Sequence, residues 1–258
     1  MTSRVLLYTI ALDTPGSNQH RQQARMLVGS LLRSGFAGDI KVIHNGETEI
    51  FEHPRRGVEE IGVDYPQGEH GCYCAKFHAR KLLPAEAYDW VLFMDCDMLV
   101  TAPLDAWFET QDDIRYAPED ALGIQCGQFN GYLTDEELAT LQRPGINSGT
   151  FLIRGGLFHE VMERWETLHE QPTLRHREAH DQPAWNRLML DTQFATGMFR
   201  SPSLTFVNIE RDFFALLRSP VVHFCGMSTV EKTVLMQALY LTRFHGADDG
   251  RLLEVLER

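Results

Sequence analysis

Between residues 90 and 100 the chain reads WVLFMDCDMLV. The run Val91–Met94 is continuously apolar, as a β-strand covered on both faces requires. It passes straight into Asp95-Cys96-Asp97 and then into Met98-Leu99-Val100. Two carboxylates between apolar flanks are costly to bury unless something positive meets them. At the carboxyl end of a parallel strand they lie where α/β sheets bind ligands. The simplest partner is a hard divalent cation, Mg²⁺ or Mn²⁺, which takes oxygen ligands and keeps positions open for phosphate oxygens. In a regular strand Asp95 and Asp97 share a face, because side chains alternate with a period of two. The competing reading, one Asp capping a turn and the other solvated, fits the apolar flanks poorly.

The rest of the chain supplies the frame for that strand. Arg4–Leu12 reads as a buried strand that ends in the turn Asp13-Thr14-Pro15-Gly16-Ser17. Arg21–Ser34 carries Ala24, Leu27, Val28, Leu31 and Leu32 on one helical stripe, with Gly35 as a stop. Asp39–His44 is a second strand, so the chain opens as a strand–helix–strand unit. A further strand is expected near Gly62–Asp64, and Ala75–Leu83 reads as a helix that Pro84 ends. Residues 111–145 carry mixed signals apart from a helix at Asp135–Leu141, opened by a capping box between Thr134 and Glu137. Strands are expected at Thr150–Ile153 and Val221–Phe224. Helices are expected at Gly155–Glu170, Gln182–Asp191, Glu231–Phe244 and Gly250–Glu257.

Composition narrows the partners. A net charge of -12, from 24 Lys and Arg against 36 Asp and Glu, repels nucleic-acid backbones. One anionic ligand is still admissible, held by a metal, backbone N–H groups and a cation or two. No apolar run approaches the roughly 18 residues of a membrane span, and the apolar N-terminal run is too short for a signal peptide. The five cysteines are odd in number and scattered, which fits reduced thiols and a cytoplasmic location, with peripheral membrane contact left open. Cys72-Tyr73-Cys74 lacks both the usual zinc spacing and a second pair.

Four segments in order carry a resemblance: AKFHARKLLPAEAYDWVLFMDCDMLV at 75–100, GINSGTFLIRGG at 145–156, HDQPAWNRLM at 180–189 and VVHFCG at 221–226. Together they resemble the GT-A glycosyltransferases, above all family 8, the relatives of glycogenin and of bacterial lipopolysaccharide galactosyltransferases. The resemblance implies a single GT-A-like domain over 1–258, an α/β/α sandwich around a central, mostly parallel mixed sheet. It implies a nucleoside-diphosphate sugar donor, with UDP as the nucleotide, and transfer with retention to a saccharide, lipid-linked, protein or small-molecule acceptor. It also completes the metal site, because the family carries His-x-x-Gly near its C-terminus and His223 and Gly226 match that spacing. Taken alone, a His in an apolar strand reads as a core residue.

The remaining roles follow residue by residue. Asp181 and Gln182 match the pair that faces the donor sugar; read alone, Asp181 is a helix N-cap. Asn147, Ser148 and Gly149 match the segment beside the donor sugar and acceptor. Read alone, they form a turn before a strand, with Gly149 permitting close approach. Lys76 matches a basic residue near the donor, with Arg80 one helical turn on. Thr9, Ala11 and Asp13 fall where the family holds the base and ribose. The family's Lys after the glycine has no match in place, since Lys232 lies farther along. The alternatives are a sugar nucleotidyltransferase, a phosphatase or a non-catalytic sugar-nucleotide-binding relative. The haloacid dehalogenase-like phosphatases continue as DxDxT, whereas the fifth position here is Leu99.

Overall fold

The computed structural model describes residues 3–14, 16–46, 49–51, 57–65, 69–175, 181–199 and 203–245. The helix expected at 250–257 lies outside the described residues. In chain order, β1 (Val5–Ala11), α1 (Gln19–Arg33) and β2 (Asp39–His44) form the opening strand–helix–strand unit. β3 (Val58–Gly62), α2 (Glu69–His78), β4 (Trp90–Met94) and β5 (Met98–Val100) follow. Next come α3 (Asp105–Phe108), β6 (Ile114–Gly123), α4 (Asp135–Thr140) and β7 (Pro144–Arg154). The chain then runs through α5 (Phe158–Glu170), α6 (Gln182–Asp191), β8 (Thr196–Met198), β9 (Thr205–Phe206), α7 (Phe213–Arg218), β10 (Val221–His223) and α8 (Thr229–Phe244).

Among the described residues, seven strands form a central, mostly parallel mixed sheet in the order β3-β2-β1-β4-β7-β6-β8. β7 is antiparallel to both of its neighbours, while β2/β3 and β6/β8 are parallel pairs. A smaller sheet runs β5-β10-β9. The chain divides into two compact units: Met1–Leu7, Tyr65–Met94 and Thr110–Phe199 in one, Tyr8–Asp64, Asp95–Glu109 and Arg200–Arg258 in the other.

In the first unit, α2, α5 and α6 bury a run of aromatic rings. Phe93 stacks on Phe151 with ring centres 4.9 Å apart, and Trp165 and Trp185 meet at 4.6 Å. Such ring pairs add about 0.5–1.5 kcal/mol each beyond their buried area. Two expectations need correction here. The strand β6 has no clear period in sequence, because Pro118 and Glu119 oppose strand formation. Pro118 is tolerated because, among the described residues, β8 pairs only with Ile114–Tyr116 and no strand pairs with the later residues on that side. The second correction is that Asn147-Ser148-Gly149 lies inside β7 rather than in a turn before it. The register with β6 jumps there, from Tyr116 opposite Phe151 to Ala117 opposite Asn147, so residues 148–150 form an irregularity in the ladder.

In the second unit, α8 packs its apolar face on β5 and β10. Leu99, Val222, Phe224, Met236 and Leu239 are all fully buried in one cluster. Ser228 and Glu231 close a capping box at the start of α8, and Gln23 Nε2 of α1 donates to Thr233 Oγ1 at 2.9 Å. Ser30 Oγ accepts from the Val100 amide at 3.0 Å, fixing β5 against α1. The strand expected near 62–64 starts earlier, at Val58, because polar Glu59 and Glu60 masked its alternation.

Candidate functional site

The carboxylate pair does not sit in a continuous strand. β4 stops at Met94, Asp95-Cys96-Asp97 turns, and β5 leaves in a different sheet. The pairing of β5 with β10 then brings His223 to this turn. Met98 lies opposite His223 in the antiparallel register, and the Phe224 amide donates to the Asp97 carbonyl at 3.0 Å. His223 is thereby set beside the turn, with Nε2 at 3.3 Å from Asp97 Oδ1 and 3.9 Å from Asp95 Oδ2. One ligand atom from each of Asp95, Asp97 and His223 lies within 4.8 Å of the others. Asp97 Oδ1 is buried and has no hydrogen-bond partner among the described residues. An orphaned carboxylate oxygen facing an imidazole nitrogen and a second carboxylate is the donor set a divalent ion needs. The three residues therefore fit Mn²⁺ or Mg²⁺.

A residue without an assigned place in the sequence completes this centre. Lys232, on the first turns of α8, donates from Nζ to Asp97 Oδ2 at 2.6 Å. Burial alone pushes the Asp97 carboxyl up, yet the charges of His223 and Lys232 and the hydrogen bond from Lys232 hold it well below the usual carboxylate range. Burial likewise pushes the Lys232 ammonium down, and Asp97 outweighs it, so the net shift is upward. The signal for Lys232 was helical: it follows the Ser228 cap by four residues, so the start of α8 carries it.

Other expected residues of this unit lie as follows. Thr9 and Ala11 are fully buried at the end of β1, and Thr9 Oγ1 has no hydrogen-bond partner among the described residues. The Asp13 amide donates to Asn45 Oδ1 at 3.0 Å, and Asp13 Oδ1 accepts from the His20 amide at 2.9 Å. Asp13 Oδ2 is buried and has no hydrogen-bond partner among the described residues. Gly226 has φ +72°, and a Cβ there would stand 3.1 Å from Asn208 Cβ. Gly226→Ala should therefore destabilise the protein by about 1–2 kcal/mol, the left-handed cost for an L residue, measured by urea unfolding.

The first unit holds a separate polar cluster. Lys76 Nζ meets Asp181 Oδ2 at 2.9 Å, with both residues under 8 % exposed. Ser148 Oγ donates to the same oxygen at 2.8 Å, and Gln182 Oε1 accepts from the Ser148 amide at 3.2 Å. Lys76 also stands 5.3 Å above the Phe93 ring. Asp181 occupies the N-cap position of α6 but makes no side-chain cap bond, because Lys76 and Ser148 take its carboxylate. Asn147 donates to Glu119 Oε2 at 3.2 Å and accepts from the Gly149 amide at 2.8 Å. Arg80 pairs instead with Glu166 of α5.

Two polar residues here had no assigned role in sequence. Glu119 is only 3 % exposed on β6. Asn186 accepts from the Ile146 amide at 2.8 Å and donates to the Ile146 carbonyl at 2.7 Å, binding α6 to β7 as a strand would. Its signal was a polar residue four positions after Gln182, on the buried side of a helix.

No protein-family model matches the sequence, and comparison with curated proteins gives no match. Solved structures do match in fold. A bifunctional glycosyltransferase, WbbM, is 14% identical over 100% of this chain at a TM-score of 0.64, and the chain spans about half of it, 52%. The galactosyltransferase LgtC, solved with donor and acceptor sugar analogues, is 14% identical over 90% of this chain and 95% of its own, at a TM-score of 0.58. A glycosyltransferase involved in glycosylating the major capsid of PBCV-1 is 12% identical over 91% of this chain and 99% of its own, also at 0.58. The fold is thus the GT-A-like α/β fold that these glycosyltransferases share.

Proposed function

We propose that the protein is a metal-dependent glycosyltransferase that moves a sugar from a nucleoside-diphosphate sugar, with UDP as the expected nucleotide, to an acceptor nucleophile. The observation that carries this reading is the triad Asp95, Asp97 and His223, whose ligand atoms converge within 4.8 Å around a buried, orphaned carboxylate oxygen. These residues would hold Mn²⁺ or Mg²⁺. When bound, the ion supplies a Lewis acid against the charge of the departing diphosphate. Thr9 Oγ1 and Asp13 Oδ2, both buried without partners, are the groups of β1 and its following turn offered to the nucleoside. Gly226, in its left-handed conformation, permits backbone N–H groups to approach the diphosphate.

The sugar-side roles rest on the other cluster. Asp181 and Gln182 would orient sugar hydroxyls, with Lys76 and Ser148 holding the Asp181 carboxylate in place. Asn147, fixed between Glu119 and the Gly149 amide, would present its amide to the sugar or acceptor. Retention at the anomeric carbon is carried over with the family resemblance.

The test is turnover of a panel of sugar nucleotides with Mn²⁺, with the products separated. Release of nucleoside diphosphate and free or transferred sugar is expected, and it should stop in excess chelator. Sugar 1-phosphate with nucleoside triphosphate, formed when pyrophosphate is added, would instead favour a nucleotidyltransferase, and orthophosphate released from an added phosphate monoester a phosphatase. Full turnover in chelator would remove the metal from the reading, and binding without turnover on an acceptor screen would make the protein a binding relative.

A further inference from the structure

Resting on the metal site proposed above, we infer that Lys232 is a resident counter-cation that weakens binding of the bare metal ion and couples it to binding of the anionic donor. Asp97 divides its two oxygens. Oδ2 is committed to the Lys232 ammonium at 2.6 Å, while Oδ1 faces His223 Nε2 at 3.3 Å and carries no hydrogen bond. Asp97 therefore offers an incoming ion one oxygen, and that oxygen belongs to a carboxylate already half-compensated.

The formal charges decide the direction of the effect. Asp95, Asp97 and Lys232 sum to -1 with His223 neutral. A divalent ion would take the cluster to +1, an excess partly held out of water, since Asp97 and His223 are 7 % and 3 % exposed while the Asp95 and Lys232 side chains are 30 % and 22 % exposed. Without Lys232 the same ion would bring it to zero. Hydrogen bonding from a neighbour also orients a ligand and favours metal binding. That orientation is worth less than the repulsion here, because a full positive charge beside a divalent ion acts through partly desolvated surroundings. An anionic diphosphate removes the excess, so the ion and the diphosphate each favour the other, and by linkage the coupling is reciprocal.

Lys232 is suited to this role by its position. It projects from the capped N-terminal end of α8, where Ser228 and Glu231 fix the first turn. Its side chain is 22% exposed, so it can shift from Asp97 without unfolding the helix. It acts through Asp97 and is a positioning residue.

The experiment is a direct Mn²⁺ titration, by electron paramagnetic resonance of the free ion, on the full chain and on Lys232→Met, Lys232→Arg and Asp97→Asn. Lys232→Met should bind Mn²⁺ alone at least about tenfold more tightly than the unaltered protein. Lys232→Arg keeps the charge and should stay close to the unaltered protein. Repeating the titration with saturating UDP should tighten Mn²⁺ binding more in the unaltered protein than in Lys232→Met. Equal or weaker binding of bare Mn²⁺ by Lys232→Met overturns the inference while leaving the metal site intact. Equal tightening by UDP in both proteins, or none in the unaltered one, overturns the coupling. Should the unaltered protein bind Mn²⁺ no better than Asp97→Asn, the metal site itself falls. If Lys232→Met melts as an unfolded chain, Lys232→Gln, which keeps a polar stem on the same turn, reads the same loss of charge.

Discussion

Asp97→Asn should lower sugar-nucleotide turnover by a factor on the order of a hundred to a thousand, or about 3–4 kcal/mol of transition-state stabilisation. The substitution is nearly isosteric, and an amide oxygen can still accept from Lys232, so the turn and α8 should stay in place. What is lost is one unit of negative charge at the oxygen that faces His223. The melting temperature in chelator should fall, because Lys232 loses its charged partner, and the rise in melting temperature on adding Mn²⁺ should disappear. A variant with normal Mn²⁺-dependent turnover would sink the assignment. His223→Ala should act in the same direction, with a larger stability loss because it also removes a buried ring 5.4 Å from Phe206. The pH window follows from the shifts. The Asp97 carboxyl is lowered, so its contribution to stability is present above an unfolded carboxylate value of about 3.9 and is lost only as pH falls through the lower folded value. Lys232 is raised, so its contribution is present below an unfolded value of about 10.4 and is lost as pH rises through the higher folded value. Between those limits the Asp97–Lys232 pair is intact, and acid loss of metal binding at mildly acidic pH would have to come from other ligands.

The carboxylate motif was legible because buried charge is rare and expensive, so Asp95 and Asp97 stood out against WVLFM. Their local geometry was not legible, since nothing in an apolar strand says that β4 ends at Met94 and that β5 turns into a second sheet. His223 illustrates the complementary limit. Its neighbours are those of a core strand, and only the register of β10 against β5 brings it to the carboxylates. Gln182–Asp191 was read to the residue because Pro183 and the apolar stripe mark its start and face. β6 escaped because its Pro and acidic residues lie past the point where, among the described residues, its pairing with β8 ends, which is a tertiary fact. Long-range polar partners escaped for the same reason: Lys76 and Asp181 are 105 positions apart, and no spacing rule relates them.

That buried pair should also carry a large stability effect. Asp181→Ala removes the carboxylate that the Lys76 ammonium meets at 2.9 Å in a setting 7 % exposed, and should cost about 3–5 kcal/mol of folding stability. Lys76→Met, the reverse deletion, should cost a similar amount. Joining them, as Lys76→Met with Asp181→Leu, removes both charges at once. Two apolar groups beside Phe93 and Trp165 replace a desolvated ion pair, so most of the lost stability should return. Activity should behave differently. If Asp181 orients the donor sugar, the stable double variant should still transfer sugar more slowly by a factor on the order of ten to a thousand, about 1.4–4 kcal/mol. It should bind the nucleoside diphosphate with Mn²⁺ nearly as tightly as the unaltered protein. Gln182→Ala, which leaves the ion pair whole, gives the cleaner kinetic reading and should lose transfer within the same range. Urea unfolding, calorimetry with the nucleoside diphosphate and a turnover assay separate these effects. Recovery of transfer along with stability in the double variant would make the Lys76–Asp181 pair a structural brace alone. Equal loss of nucleotide affinity and turnover in Gln182→Ala would move that residue from the sugar to the nucleotide.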